Sequence, residues 1–194
     1  MDGTNLANRV TLARLLILPF IIFLLYTGNN LSKLFSVILF LLIMVGDKVD
    51  GIVARKLGKT TKFGKFLDSI IDKFITSLMF LVLHDFGLVP LWAVLLIVIR
   101  DVATESVRNI RFKNEAMPKR SKFSIYKTGL QYMTILFGLI VVYMSDSNIN
   151  LIFFDQTYLL IMGTLVYMTI FFGYYSFIEM LLRDRMATFK KFLK

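Results

Sequence analysis

The chain has 194 residues, 57% of them hydrophobic and 19 of them Phe, with a mean hydropathy of +0.70. A soluble domain of this length does not carry so much apolar side chain, so the expected solvent is lipid. The net charge of +10 is accounted for by membrane topology and attraction to anionic head groups, without nucleic acid, and the absence of Cys excludes disulfides and thiolate chemistry.

In chain order, the segment Asp2 to Arg14 is polar and cap-like, with Asn5, Asn8 and Thr11, and is expected to lie along the cytoplasmic interface as a short helix. Six apolar stretches each approach the roughly 20 residues that a helix needs to cross a hydrocarbon core. They run from Val10 to Tyr26, Ser32 to Arg55, Phe63 to Leu83, Leu91 to Arg108, Ser124 to Met144 and Thr157 to Leu182. The first contains Arg14, lacks a small-residue cleavage site and is followed by the other stretches, so it reads as a retained span and not a signal peptide. Gly28-Asn29-Asn30, Gly87 with Pro90, and Asp146 to Asn150 punctuate the outward turns. Tyr26, Trp92 and Tyr143 near them suit interfacial anchoring. His84, beside Asp85 and Gly87, reads as an outward-loop residue.

Lys and Arg crowd the second connection (Arg55, Lys56, Lys59, Lys62, Lys65), the fourth (Arg108, Arg111, Lys113, Lys119, Arg120, Lys122) and the tail (Arg183, Arg185, Lys190, Lys191, Lys194). Because basic residues are retained on the cytoplasmic side, both termini are expected there. The fold class is thus an all-α integral membrane protein, a single domain over 1–194 with six transmembrane helices and a short N-terminal interfacial helix. No internal repeat is visible.

Ionisable residues inside a span are costly and point to function. On a helix, positions 47, 50, 51, 54 and 55 share a face, which presents Asp47 and Asp50, then Gly51 and Ala54, then Arg55. In the third stretch Gly64, Asp68 and Asp72 recur every four residues. The short basic connection makes these two helices antiparallel neighbours whose acidic faces can meet. Four converging carboxylates repel one another, and divalent cations resolve the conflict. Hard oxygen ligands suit Mg²⁺ or Mn²⁺, and a paired-ion site polarises a pyrophosphate. Gly51, Ala54 and Gly64 leave room for a bulky ligand, and Arg55 can grip phosphate oxygens bidentately. Asp47 lies roughly 12 Å deeper than Arg55 at 1.5 Å per residue, which describes a cytoplasm-facing pocket in the inner leaflet. A proton or ion relay through membrane carboxylates is a different reading, but it would place ionisable groups at several depths, whereas the outer halves of these spans hold almost none.

The string Asp47-x-x-Asp50-Gly51-x-x-Ala54-Arg55, followed by Gly64-x-x-x-Asp68-x-x-x-Asp72, resembles the complete signature of the CDP-alcohol phosphotransferases. That resemblance implies that Asp47, Asp50, Asp68 and Asp72 hold metal, with two ions, and that Asp72 is the general base on the acceptor hydroxyl. It implies that Gly51, Ala54, Arg55 and Gly64 hold the CDP moiety of a CDP-diacylglycerol, and that the protein is a homodimer in the cell membrane. Within the family, Asn8-x-x-Thr11-x-x-Arg14, Asp72-Lys73, Arg100, Thr104, Arg108 and Lys127-Thr128 are similar to bacterial phosphatidylglycerophosphate synthases. This closer likeness adds Asn8 and Thr11 to the CDP-lipid site and assigns Arg108, Lys127 and Arg100 to the phosphate of glycerol 3-phosphate. Ser69 stands where those synthases usually have Pro, Glu105 and Ser106 replace a Thr-Gly pair, and Ser124 with Ile125 replaces Gly-Lys. These departures leave the reaction class and bear on the acceptor, for which inositol phosphate, serine or phosphatidylglycerol are the alternatives.

Overall fold

The structure is a computed structural model describing the backbone of residues 3–56, 62–113, 122–146 and 155–192, with side chains described for most of these outside 3–12, 47–56, 109–113, 122–125 and 183–192. Six α-helices make up the described residues: α1 (Gly3–Tyr26), α2 (Asn30–Lys56), α3 (Lys62–Asp85), α4 (Leu91–Lys113), α5 (Lys122–Asp146) and α6 (Asp155–Phe192). Each contains one of the expected apolar stretches, extended by a few residues or more.

The first helix differs from expectation. The polar opening and the first apolar stretch form one continuous helix, α1, not an interfacial helix followed by a span. Between Thr4 and Leu18 there is neither Gly nor Pro to interrupt propagation, and Pro19 falls inside the helix on an exposed position. Asn29 caps α2, its Oδ1 accepting from the Leu31 N–H at 3.1 Å, after Gly28 turns the chain at φ 71°. Between α3 and α4 the Gly87 N–H donates to the His84 carbonyl at 2.8 Å, and the Leu88 N–H to that of Leu83 at 3.0 Å. Gly87 supplies the positive φ of 74° that this turn requires. His84 therefore belongs to the last turn of α3 and not to a loop, and its Nδ1 lies 2.9 Å from the Val89 carbonyl oxygen. Tyr26 donates to Asp85 at 2.5 Å, joining the ends of α1 and α3.

Helix contacts trace a ring, α1 to α2 to α5 to α6 to α4 to α3 and back to α1, and α3 also packs on α5 across the middle. The core is apolar at helical spacing: Leu18, Ile21 and Leu25 on α1, Phe40 and Ile43 on α2, Ile71, Ile75, Met79 and Leu83 on α3, Ile135 and Leu139 on α5. The outward faces are apolar too, including Phe20 and Phe23, Phe35 and Leu42, Ile99 and Val102, Tyr167 and Phe171. Exposed apolar surface on helix after helix is what a lipid solvent calls for. Among the described residues, Tyr126–Ser145 and Thr157–Leu182 are long and apolar enough to cross a bilayer, and Ala13–Tyr26 and Asn30–Gly46 are shorter apolar stretches.

The expected direct packing of the second helix on the third is not found among the described residues. Both helices instead pack on α1 and on α5.

Candidate active site

Asp68 and Asp72 lie one turn apart on α3 and share a partner on α1. Arg14 Nη2 is 2.8 Å from Asp68 Oδ1, and Arg14 Nη1 is 3.2 Å from Asp72 Oδ1. The arginine is 4% exposed, so the guanidinium is inside the bundle, between two carboxylates, one nitrogen to each. Arg14 was expected only as a charge inside the first span and as the last residue of the opening motif. A buried arginine on an apolar helix nevertheless demands an anion, and that demand was the available signal. Gly64, half-buried, stands one turn before Asp68 on the same helix. Asp47, Asp50, Gly51, Ala54 and Arg55 fall in the unbroken helical backbone of α2, and Asn8 and Thr11 in that of α1; their side chains lie outside the described residues.

The second constellation centres on Asp101, which is 1% exposed. Its Oδ1 is 3.0 Å from Lys127 Nζ on α5, 3.8 Å from Lys73 Nζ on α3 and 2.8 Å from Arg100 Nη1. Arg100 Nη1 is off the hydrogen-bonding direction, so that contact is charge pairing and not a directed bond. Gln131 donates to Asp101 Oδ2 at 2.7 Å. Three cations surround one carboxylate, a local excess of positive charge that favours an anion. Arg100 is held there by shape as well: its guanidinium packs on Gly173 of α6, where an added Cβ would come within 2.5 Å of Nη2. The structure thus brings together two of the residues expected at the acceptor phosphate, Arg100 and Lys127. It also gathers Asp101, which neighbours Arg100 in the sequence, Lys73 of the Asp72-Lys73 pair, and Gln131, and their meeting depends on three helices.

Arg108 stands apart, roughly 12 Å along α4 from Arg100 at 1.5 Å per residue. Its Nη2 donates to Ser69 Oγ and lies 3.4 Å from Glu105 Oε2. Ser69 Oγ in turn donates to Glu105 Oε2 at 3.0 Å.

A divalent cation fits the acidic face by its donors. Asp68 and Asp72 are hard oxygen ligands already turned on a single cationic group, the Arg14 guanidinium. No group of three or more His, Asp or Glu side chains converges among the described residues, and Asp47 and Asp50 are not among the side chains described.

Residues 4–178 match the family model of the CDP-alcohol phosphatidyltransferases. The chain belongs to this family. Among curated CDP-alcohol phosphatidyltransferase relatives, one from Rickettsia typhi (strain ATCC VR-144 / Wilmington), named CDP-diacylglycerol--glycerol-3-phosphate 3-phosphatidyltransferase, is 30% identical over 173 residues, covering 89% of this chain and 95% of the relative. One of the same name from Bacillus subtilis (strain 168) is 36% identical over 116 residues, 54% of this chain and 60% of the relative. A relative from Mycobacterium tuberculosis (strain ATCC 25618 / H37Rv), named probable phosphatidylglycerophosphate synthase, is 32% identical over 117 residues, 59% of this chain and 56% of the relative.

Proposed function

We propose that this chain is a membrane enzyme of phospholipid biosynthesis that transfers the phosphatidyl group of CDP-diacylglycerol to glycerol 3-phosphate, giving phosphatidylglycerol phosphate and CMP. The observation that carries this reading is the convergence of Asp68 and Asp72 on one buried cationic group, on the helix whose Ser69 also contacts Arg108. The names of relatives covering most of the chain agree with it. In this proposal six helices cross the inner or plasma membrane, both termini and the site face the cytoplasm, and the enzyme is a homodimer.

Asp47, Asp50, Asp68 and Asp72 would hold Mg²⁺ or Mn²⁺, in two ions, which when bound supplies Lewis acidity toward the pyrophosphate. Asn8, Thr11, Gly51, Ala54, Arg55 and Gly64 hold the CDP-lipid. Arg108, Lys127 and Arg100 hold the phosphate of the acceptor, with the two last drawing on the positive excess around Asp101. Asp72 accepts the proton of the acceptor hydroxyl while that oxygen forms a bond to the lipid-side phosphorus. The bond from this phosphorus to the CMP oxygen breaks, and CMP leaves with the electron pair.

The test is CMP release by purified protein with CDP-diacylglycerol and Mg²⁺, given glycerol 3-phosphate, inositol 1-phosphate, serine or phosphatidylglycerol separately. Release with glycerol 3-phosphate alone is expected, and release only with another acceptor would reassign the substrate. Asp72→Asn is expected to lower turnover by at least about a hundredfold, the lower range for a general base, while CDP-lipid still binds. Retained turnover would remove Asp72 from the role of base.

A further inference from the structure

Ser69 and Glu105 are two of the places where the chain departs from the synthase pattern, and in the folded molecule they touch. Ser69 Oγ donates to Glu105 Oε2 at 3.0 Å, and both contact the same nitrogen of Arg108. The three residues form a closed set linking α3 to α4. Glu105 is buried, its side chain 11% exposed against 30% for Arg108, and it lies one turn before Arg108 on the same helix face. A carboxylate withdrawn from water needs a cation, and Arg108 is the cation it contacts.

We infer that Glu105 is a positioning residue for the acceptor: with Ser69 it fixes the Arg108 guanidinium so that the rest of its donor fork faces the acceptor phosphate. A guanidinium carries five N–H donors in a rigid plane. Here Nη2 is the nitrogen taken by Glu105 and Ser69, and no contact among the described residues takes Nε or Nη1. The two paired edges of a guanidinium, Nη1 with Nη2 and Nε with Nη2, both use Nη2, so the remaining Nε–H and Nη1–H donors each serve a phosphate oxygen singly. A long side chain that is already held loses less freedom when it binds, so the anchor contributes affinity without touching the ligand. Because Ser69 directly follows Asp68, the anchor also references Arg108 to the helix that carries the acidic face.

The inference rests on the reading of Arg108 as a ligand of the acceptor phosphate, and the experiment separates the two. Steady-state kinetics with CDP-diacylglycerol and glycerol 3-phosphate would compare the full-length protein with Glu105→Ala, Glu105→Gln, Arg108→Ala and the double variant Glu105→Ala with Arg108→Ala. Glu105→Ala is expected to raise the KM for glycerol 3-phosphate about tenfold, the scale of one charge-assisted contact, and the KM for CDP-diacylglycerol less than about twofold. Glu105→Gln, nearly isosteric and still able to accept from Ser69, is expected to give a smaller rise and serves if the alanine variant does not fold. The double variant is expected to match Arg108→Ala alone. If Arg108→Ala raises the acceptor KM but neither Glu105 variant does, or if their effects add, the inference fails while the role of Arg108 stands. A fall in the acceptor KM, or equal rises for both substrates with a lowered thermal midpoint, also overturns it. If Arg108→Ala leaves the acceptor KM unchanged, the reading of Arg108 itself falls.

Discussion

Arg14 shows what a single side chain adds to a pattern. The four-residue spacing of Asp68 and Asp72 announces two carboxylates on one face, but spacing along a helix carries no information about which neighbour that face meets. The answer is α1, through a guanidinium 4% exposed. Arg14→Ala would leave two carboxylates one turn apart without the charge between them. The metal-free protein is expected to lose roughly 1–2 kcal/mol of stability, less than for a fully buried pair, because the Asp68 and Asp72 side chains are 43% and 23% exposed and are hydrated once Arg14 is gone. Mg²⁺ is expected to raise the thermal midpoint of the variant more than that of the unsubstituted protein, since a ligand that binds only the folded state stabilises it more the lower its Kd, and Arg14 no longer competes for the carboxylates. Thermal unfolding in detergent across a Mg²⁺ titration measures both shifts; equal responses would mean that Arg14 does not compete with the cation, and no response in either protein would remove Asp68 and Asp72 from cation binding.

At the scale of helices, each of the six was legible as an apolar run with turn residues beside it, because length and composition are local properties. Their partners were not. No direct contact of α2 with α3 is found among the described residues, where both pack on α1 and α5, and the side chains of 47–56, where the acidic faces were expected to meet, lie outside those residues. Asp101 beside Arg100 was legible as a local ion pair, but only the assembly of α3, α4 and α5 gathers Lys73, Lys127 and Gln131 around it. Asp101→Asn keeps an acceptor for Gln131 and removes the charge. With three cations then facing one another in a buried space, stability is expected to fall by roughly 3–5 kcal/mol. Denaturation in mixed micelles checks this, and a loss below about 1 kcal/mol, the range of exposed pairs, would mean that the cluster is solvated.

For the whole molecule, apolar outward faces suit a lipid solvent, and the basic bias of alternate connections is the basis of the proposed orientation. The chain has no Cys, so single substitutions report topology without background. Asn29→Cys, in the turn between α1 and α2, is expected to react with a membrane-impermeant maleimide on intact cells. Thr60→Cys, in the basic connection, is expected to react only after the membrane is opened. The opposite pattern would invert the orientation.

The stretch from Asp68 to Lys73 is fastened on several sides at once: Asp68 and Asp72 to α1, Ser69 and Lys73 to α4. Ten residues further on, Leu83 of the same helix is wedged against Gly138 of α5, where even a methyl group would meet it at 2.7 Å. Adding one residue between these two fastenings would turn one end by about 100° relative to the other. No adjustment of side chains could then satisfy both. The distance in residues between Lys73 and Leu83 is therefore a fixed gauge, as intolerant of insertion or deletion as the carboxylates are of substitution.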